Sequence, residues 1–136
     1  MIPSDYQYTC VERFLKYVAY DTQSDESSET FPSSLKQKIL GADLVAELQA
    51  MGLADAAMDE YGYVMATIPA TSEKSDVPVI GFIAHMDTSP DVSGADVKAV
   101  LHQNYDGNDI VLPADPSIVI TVADNPHLSD KVGETI

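Results

Sequence analysis

A chain of 136 residues with 22 acidic and 7 basic side chains carries a formal net charge of −15. Its length is that of one ordinary domain, able to bury roughly 70% of the surface its unfolded form exposes. Its charge repels phosphate backbones and anionic lipid headgroups, so nucleic acid and membrane surfaces are excluded as partners and a cation or a substrate with a free amino group is favoured. Solvated, solubilising charge is the commoner use of such an excess.

The single Cys10 has no internal disulfide partner. The N-terminus MIPSDYQYTC has neither a basic n-region nor an apolar h-region. No apolar stretch approaches the roughly 20 residues that span a bilayer. A cytoplasmic protein is expected.

In chain order, Val11, Phe14, Leu15 and Val18 recur at helical spacing with Glu12, Arg13 and Lys16 opposite, which predicts an amphipathic helix ending near Tyr20. The polar segment Asp21 to Ser34, DTQSDESSETFPSS, reads as a loop. Ser33 or Ser34 then caps a second helix of about Leu35 to Met51, striped by Leu40, Leu44, Leu48 and Met51 and stopped by Gly52. Ala56 to Asp59 and Tyr63 to Ile68, joined through Gly62, read as a β-hairpin.

The run VPVIGFIA, Val77 to Ala84, is apolar at nearly every position and reads as a central strand covered on both faces. A loop follows from Met86 to Asp96, then a weaker strand around Val97 to Leu101 and a turn at Asn104 to Asp109. Ile110 to Leu112 and Ser117 to Val122 read as short strands, and Asn125-Pro126 as the N-cap and first residue of a last helix. No internal repeat or second-domain linker is evident. Helices before and after a buried strand imply an α/β sandwich whose ligand sites lie beyond the carboxyl ends of the strands.

His85 stands at that end of the central run, in IAHMDTSP. Residues i and i+2 of a strand share a side, so continued extension sets Asp87 beside His85 and turns Met86 toward the core. A neutral imidazole binds a metal through one nitrogen when an acceptor holds the proton on the other, and a carboxylate does this while raising the ligand's basicity. The plainer alternative is that both residues only cap loose backbone groups. A histidine at the tip of a wholly apolar strand favours a task for its ring.

The segments RFLKYVAYDTQS, MGLADAAMDEYGYVMATIPA, VIGFIAHMDTSPDVSG and QNYDGNDIVL resemble the N-terminal part of the peptidase T family, aminotripeptidases among the di-zinc exopeptidases. The resemblance covers nearly the whole chain. It implies that residues 1–136 are the N-terminal part of a zinc-exopeptidase catalytic domain, a three-layer-type sandwich of a mostly parallel or mixed sheet with flanking helices. By position, His85 resembles the family's first zinc ligand and Asp87 the catalytic-site aspartate that orients it. The resemblance further implies two zinc ions sharing a bridging carboxylate and a water, a glutamate general base, and anchoring of the free amino terminus of a short peptide. The stretch that supplies the family's bridging aspartate is expected beyond Ile136, and with it the base and remaining ligands. A chain with one ligand is expected to be inactive alone, and an unpaired sheet edge or apolar face is expected to cause self-association or partial disorder near the C-terminus.

His102 and His127 are expected in surface or structural roles. Asp106-Gly107-Asn108-Asp109 does not fit a calcium loop, since Ile110 falls where an oxygen ligand is needed. Cys10 reads as a small core or boundary residue rather than a nucleophile. Tyr61 and Tyr63 read as hairpin packing, and with Tyr105 as a less economical peptide-binding surface. Two other functions fit the pattern less fully: a non-enzymatic acidic binding module, and a related di-zinc amidohydrolase or dipeptidase sharing only H-x-D.

Overall fold

The structure, a computed structural model, describes residues 7–136. They divide into two units, Met1–Lys98 and Ala99–Ile136. The first holds helices α1 (Cys10–Tyr17) and α2 (Gln37–Ala50) and strands β1 (Ala57–Met58) and β2 (Val64–Met65). The second holds β3 (Ile110–Val111), β4 (Val119–Ile120) and a 3₁₀ turn, Pro126–Lys131.

In α2 the expected stop is present in full. Gly52 sits at φ +95°, its N–H bonds to Gln49 O at 2.9 Å, and Leu53 N–H reaches back to Leu48 O at 3.1 Å. This paired closure satisfies carbonyls that the helix end would otherwise orphan, and only glycine takes the left-handed position without strain. The expected start is not present: Lys36 occupies the N-cap position and no side chain caps it. The chain enters instead through turn-type bonds, Gln37 N to Ser34 O and Lys38 N to Leu35 O. Ser33 Oγ accepts from Asp25 N and Gln37 Nε2, so its hydroxyl serves the preceding loop and the helix side chain.

The hairpin forms where expected but shorter, pairing Ala57 with Met65 and Met58 with Val64 in antiparallel register. Asp59 organises its turn. Its Oδ1 accepts the N–H groups of Tyr61 at 3.0 Å and Tyr63 at 2.9 Å, and Gly62 takes φ +90°. Tyr61 and Tyr63 project outward, 53% and 65% exposed, so hairpin packing does not account for them.

α2 lies against this hairpin. The approach is close at Gly41, where a methyl group would fall 2.6 Å from Met58 Sδ. Leu40 and Ala56 are the buried apolar side chains of this unit among the described residues. Met86 turns toward the same place, its Cε 3.7 Å from that methyl position.

α1 is amphipathic as expected, yet it meets α2 through its polar face. Arg13 pairs with Glu47, Lys16 Nζ lies 2.5 Å from Asp43 Oδ2, and the hydroxyls of Tyr17 and Tyr20 donate to Glu47 and Asp43 at 2.9 Å. Residues 13, 16 and 17 share one face of α1, Tyr20 follows in the bend after it, and residues 43 and 47 lie one turn apart on α2. Val11 and Phe14 remain exposed, and so does Cys10, which is no core residue.

Residues 77–84 correct the largest expectation. They form no strand; Val79 is 98%, Phe82 95% and Ile83 100% exposed. A strand covered on both faces needs a ladder on at least one edge and a layer on each side, and no described segment supplies either. The weak strand expected at 97–101 is likewise irregular. What the described residues support is therefore a partial α/β arrangement of two helices and two short antiparallel strand pairs.

In the second unit β3 and β4 pair antiparallel, Ile110 with Ile120 and Val111 with Val119. Tyr105, 4% exposed, is buried there with its hydroxyl on Asn108 O at 2.6 Å, which removes it from any peptide-binding surface. Asp106 to Asp109 is a turn, with Asp106 Oδ1 accepting Asn108 N at 3.0 Å. Pro126 opens the last turn as expected, but Asn125 does not cap it; its Nδ2 donates back to Thr121 O at 3.1 Å. No helix among the described residues is long and apolar enough to cross a membrane.

Candidate functional site

His85 and Asp87 are the side chains the sequence singles out, and both belong to the first unit. His85 Nδ1 lies 3.0 Å from Asp87 Oδ1. An ionised carboxylate only accepts, so the Nδ1 proton lies between them and the lone pair of a neutral ring sits on Nε2. The imidazole is 85% exposed, leaving Nε2 open to solvent.

The carboxylate is fixed from its other side by a residue the sequence reading passed over. Ser24 Oγ donates to Asp87 Oδ2 at 2.6 Å. The same hydroxyl lies 2.9 Å from Thr88 O, but one proton favours the shorter, charged acceptor. The Asp87 carboxyl lies below the ordinary carboxylate range first because this hydroxyl donates to it; His85 adds to the effect and partial burial opposes it.

Ser24 is held in place by backbone. Residues 22–24 run parallel to Thr88, with Thr88 N–H on Thr22 O at 3.2 Å and Ser24 N–H on Thr88 O at 3.0 Å. Gln23 Nε2 reaches Pro90 O at 2.9 Å and Val92 O at 3.1 Å. Thr22 is only 2% exposed, and Lys36 Nζ holds Asp21 Oδ1 at 2.8 Å. The DTQS tetrapeptide thus forms a polar clasp on the segment that carries Asp87. The quoted likeness of RFLKYVAYDTQS was the one signal of its importance. Beside the clasp is an open polar depression lined by residues including Gln23, Ser24, Lys36 and Pro90.

A catalytic zinc needs about three converging protein ligands. Among the described residues no three His, Cys, Asp or Glu side chains converge in that way. His102, half-buried, and His127, exposed, belong to the second unit; His102 exchanges backbone bonds with Ile136 at 2.8 and 3.1 Å. The described residues therefore offer one oriented imidazole and no complete zinc site, and no reaction step follows from them alone.

No protein-family model matches the chain. Curated relatives do. The chain is 54% identical over 127 residues to Peptidase T of Alkaliphilus oremlandii. It is 54% identical over 126 residues to Peptidase T of Clostridium acetobutylicum, and 55% over 126 residues to that of Desulfitobacterium hafniense. Each comparison covers 93% of this chain but only 30 to 31% of the relative. The likeness to the peptidase T family carried by the quoted segments is thus borne out: along 93% of its length this chain is similar to Peptidase T, and it spans less than a third of those relatives.

Proposed function

We propose that this chain is part of a cytoplasmic, zinc-dependent aminopeptidase of the peptidase T type, which releases the N-terminal residue of short peptides. His85 is one zinc ligand and Asp87 is the carboxylate that orients it. The observation that carries this reading is the 3.0 Å contact of His85 Nδ1 with Asp87 Oδ1, which leaves Nε2 directed to solvent. A metal-binding histidine ordinarily hands its second N–H to such an acceptor. The charge of −15 supports a substrate bearing a cationic amino terminus and argues against nucleic acid or anionic membrane as partner.

In this reading the second zinc, the other ligands and the general base belong to the portion of the relatives' length that this chain does not span. The chain alone hydrolyses nothing. Residues 77–84 become an interior strand of a three-layer sandwich only when further strands flank them. Without those, the exposed run draws copies of the chain together.

The test is made on a polypeptide of the relatives' length that contains this chain, supplied with zinc and a tripeptide with a free amino terminus. Release of the first residue should vanish in His85→Ala and fall about 10- to 100-fold in Asp87→Asn. Undiminished hydrolysis in both variants refutes the reading.

A further inference from the structure

We propose that Ser24 is a positioning residue for the His85–Asp87 pair: by occupying one carboxylate oxygen it aims the other at His85 Nδ1. The inference deepens the proposal above and rests on it for its functional meaning, but the geometry stands separately.

A carboxylate on a two-bond side chain rotates readily, and at an exposed position one imidazole does little to hold it. Asp87 is held twice, Oδ2 by Ser24 at 2.6 Å and Oδ1 by His85 at 3.0 Å. The two contacts use different oxygens, so fixing one fixes the plane of the other. Ser24 is able to do this because its N–H donates to Thr88 O while Thr88 N–H donates to Thr22 O two residues earlier, which ties the segment to the single residue Thr88. Thr88 directly follows Asp87, so the register that pairs the two segments also sets hydroxyl against carboxylate.

Free rotation of Asp87 would let His85 exchange its proton between the two ring nitrogens. With Oδ1 held in place, the proton stays on Nδ1 and the lone pair on Nε2. Ser24 has no path to a ligand at Nε2 except through this pair, which makes it a positioning and not a catalytic residue.

The experiment is nitrogen-15 NMR of the imidazole of His85 in the metal-free 136-residue chain at about pH 8. Wild type should hold the proton on Nδ1. Ser24→Ala should lower the ratio of the Nδ1–H to the Nε2–H form about fivefold or more, as expected for loss of a charge-assisted bond. Ser24→Thr, which keeps the hydroxyl, should restore the ratio. Gln23→Ala removes the ties to Pro90 and Val92 without touching Asp87, and should leave the ratio unchanged.

An unchanged ratio in Ser24→Ala overturns the proposal. So does an equal shift in Gln23→Ala, because the clasp would then act only by anchoring the loop. Zinc affinity of the longer polypeptide, measured by chelator competition, separates the two readings. A ratio that depends on Ser24 together with zinc binding indifferent to His85→Ala leaves the positioning role standing and removes the metal role.

Discussion

The most demanding prediction concerns Val79, Phe82 and Ile83. They are exposed by 98%, 95% and 100% and carry no charge between them. Burying each side chain fully contributes about 1.5–3 kcal/mol, so the three together hold roughly 5–9 kcal/mol that folding of the described residues does not use. Two copies meeting through this run would gain on the order of 10–18 kcal/mol before the cost of association, which is about 4–15 kcal/mol. The midpoints of these ranges leave a surplus of about 4–5 kcal/mol, which corresponds to a dissociation constant of about 1 mM. The charge of −15 on each copy opposes the encounter, and screening shortens its reach from about 10 Å at 0.1 M salt to about 3 Å at 1 M. Sedimentation velocity should therefore show a weight-average coefficient that rises with protein concentration and rises further at high salt. The triple variant Val79→Thr, Phe82→Ser, Ile83→Thr should sediment as a monomer throughout. Its urea midpoint should match wild type, since exposed substitutions rarely cost more than about 0.5 kcal/mol. A concentration-independent wild type refutes the reasoning. So does a triple variant destabilised by several kcal/mol, which would mean the run is buried.

Three further outcomes are expected. Leu40→Ala should cost about 2–5 kcal/mol in urea unfolding followed by circular dichroism, because Leu40 of α2 is only 5% exposed; an unchanged midpoint would contradict that burial. Gly52→Ala forces a side chain into φ +95° and should cost about 1–2 kcal/mol by the same assay, whereas a neutral result would mean α2 ends differently. The docking of α1 should fail in acid. Lys16 chiefly, then Tyr20, hold the Asp43 carboxyl below its ordinary range. A lowered folded value means this support is complete above the ordinary carboxylate range and is lost as pH falls through Asp43's own lower value. Fluorescence of Tyr17 and Tyr20 should report the loss, and Asp43→Asn should remove that part of the acid transition.

What could be read from the sequence is what depends on near neighbours. Gly52 after a leucine stripe, Gly62 between two apolar stretches and Asp106-Gly107-Asn108 each encode a local geometry, and each is found. Histidine and aspartate two apart are neighbours by sequence spacing, while their contact is completed by the distant Ser24. The run 77–84 departs from expectation because continuous apolarity describes the surroundings a segment suits, and a strand exists only where another strand pairs with it. The periodicity of α1 marks a helix but does not state which face docks. There the tyrosines and cations matched Asp43 and Glu47 across more than 20 residues of chain. Ser24 is silent in the sequence for the same reason: a serine in a polar loop carries no sign of a partner 63 residues away.

That separation governs when the histidine pair takes its final shape. The clasp joins residues 64 apart, from Ser24 to Thr88, and closing a flexible loop of that length costs on the order of 4 kcal/mol in chain entropy. α2 and the hairpin lie inside the loop and form from contacts much nearer in sequence, so they shorten the effective span before the ends meet. The carboxylate is therefore seated late in folding and released early in any partial opening. Amide hydrogen exchange at Ser24 and Thr88 would be faster than within α2, even in a molecule whose helices remain fully formed.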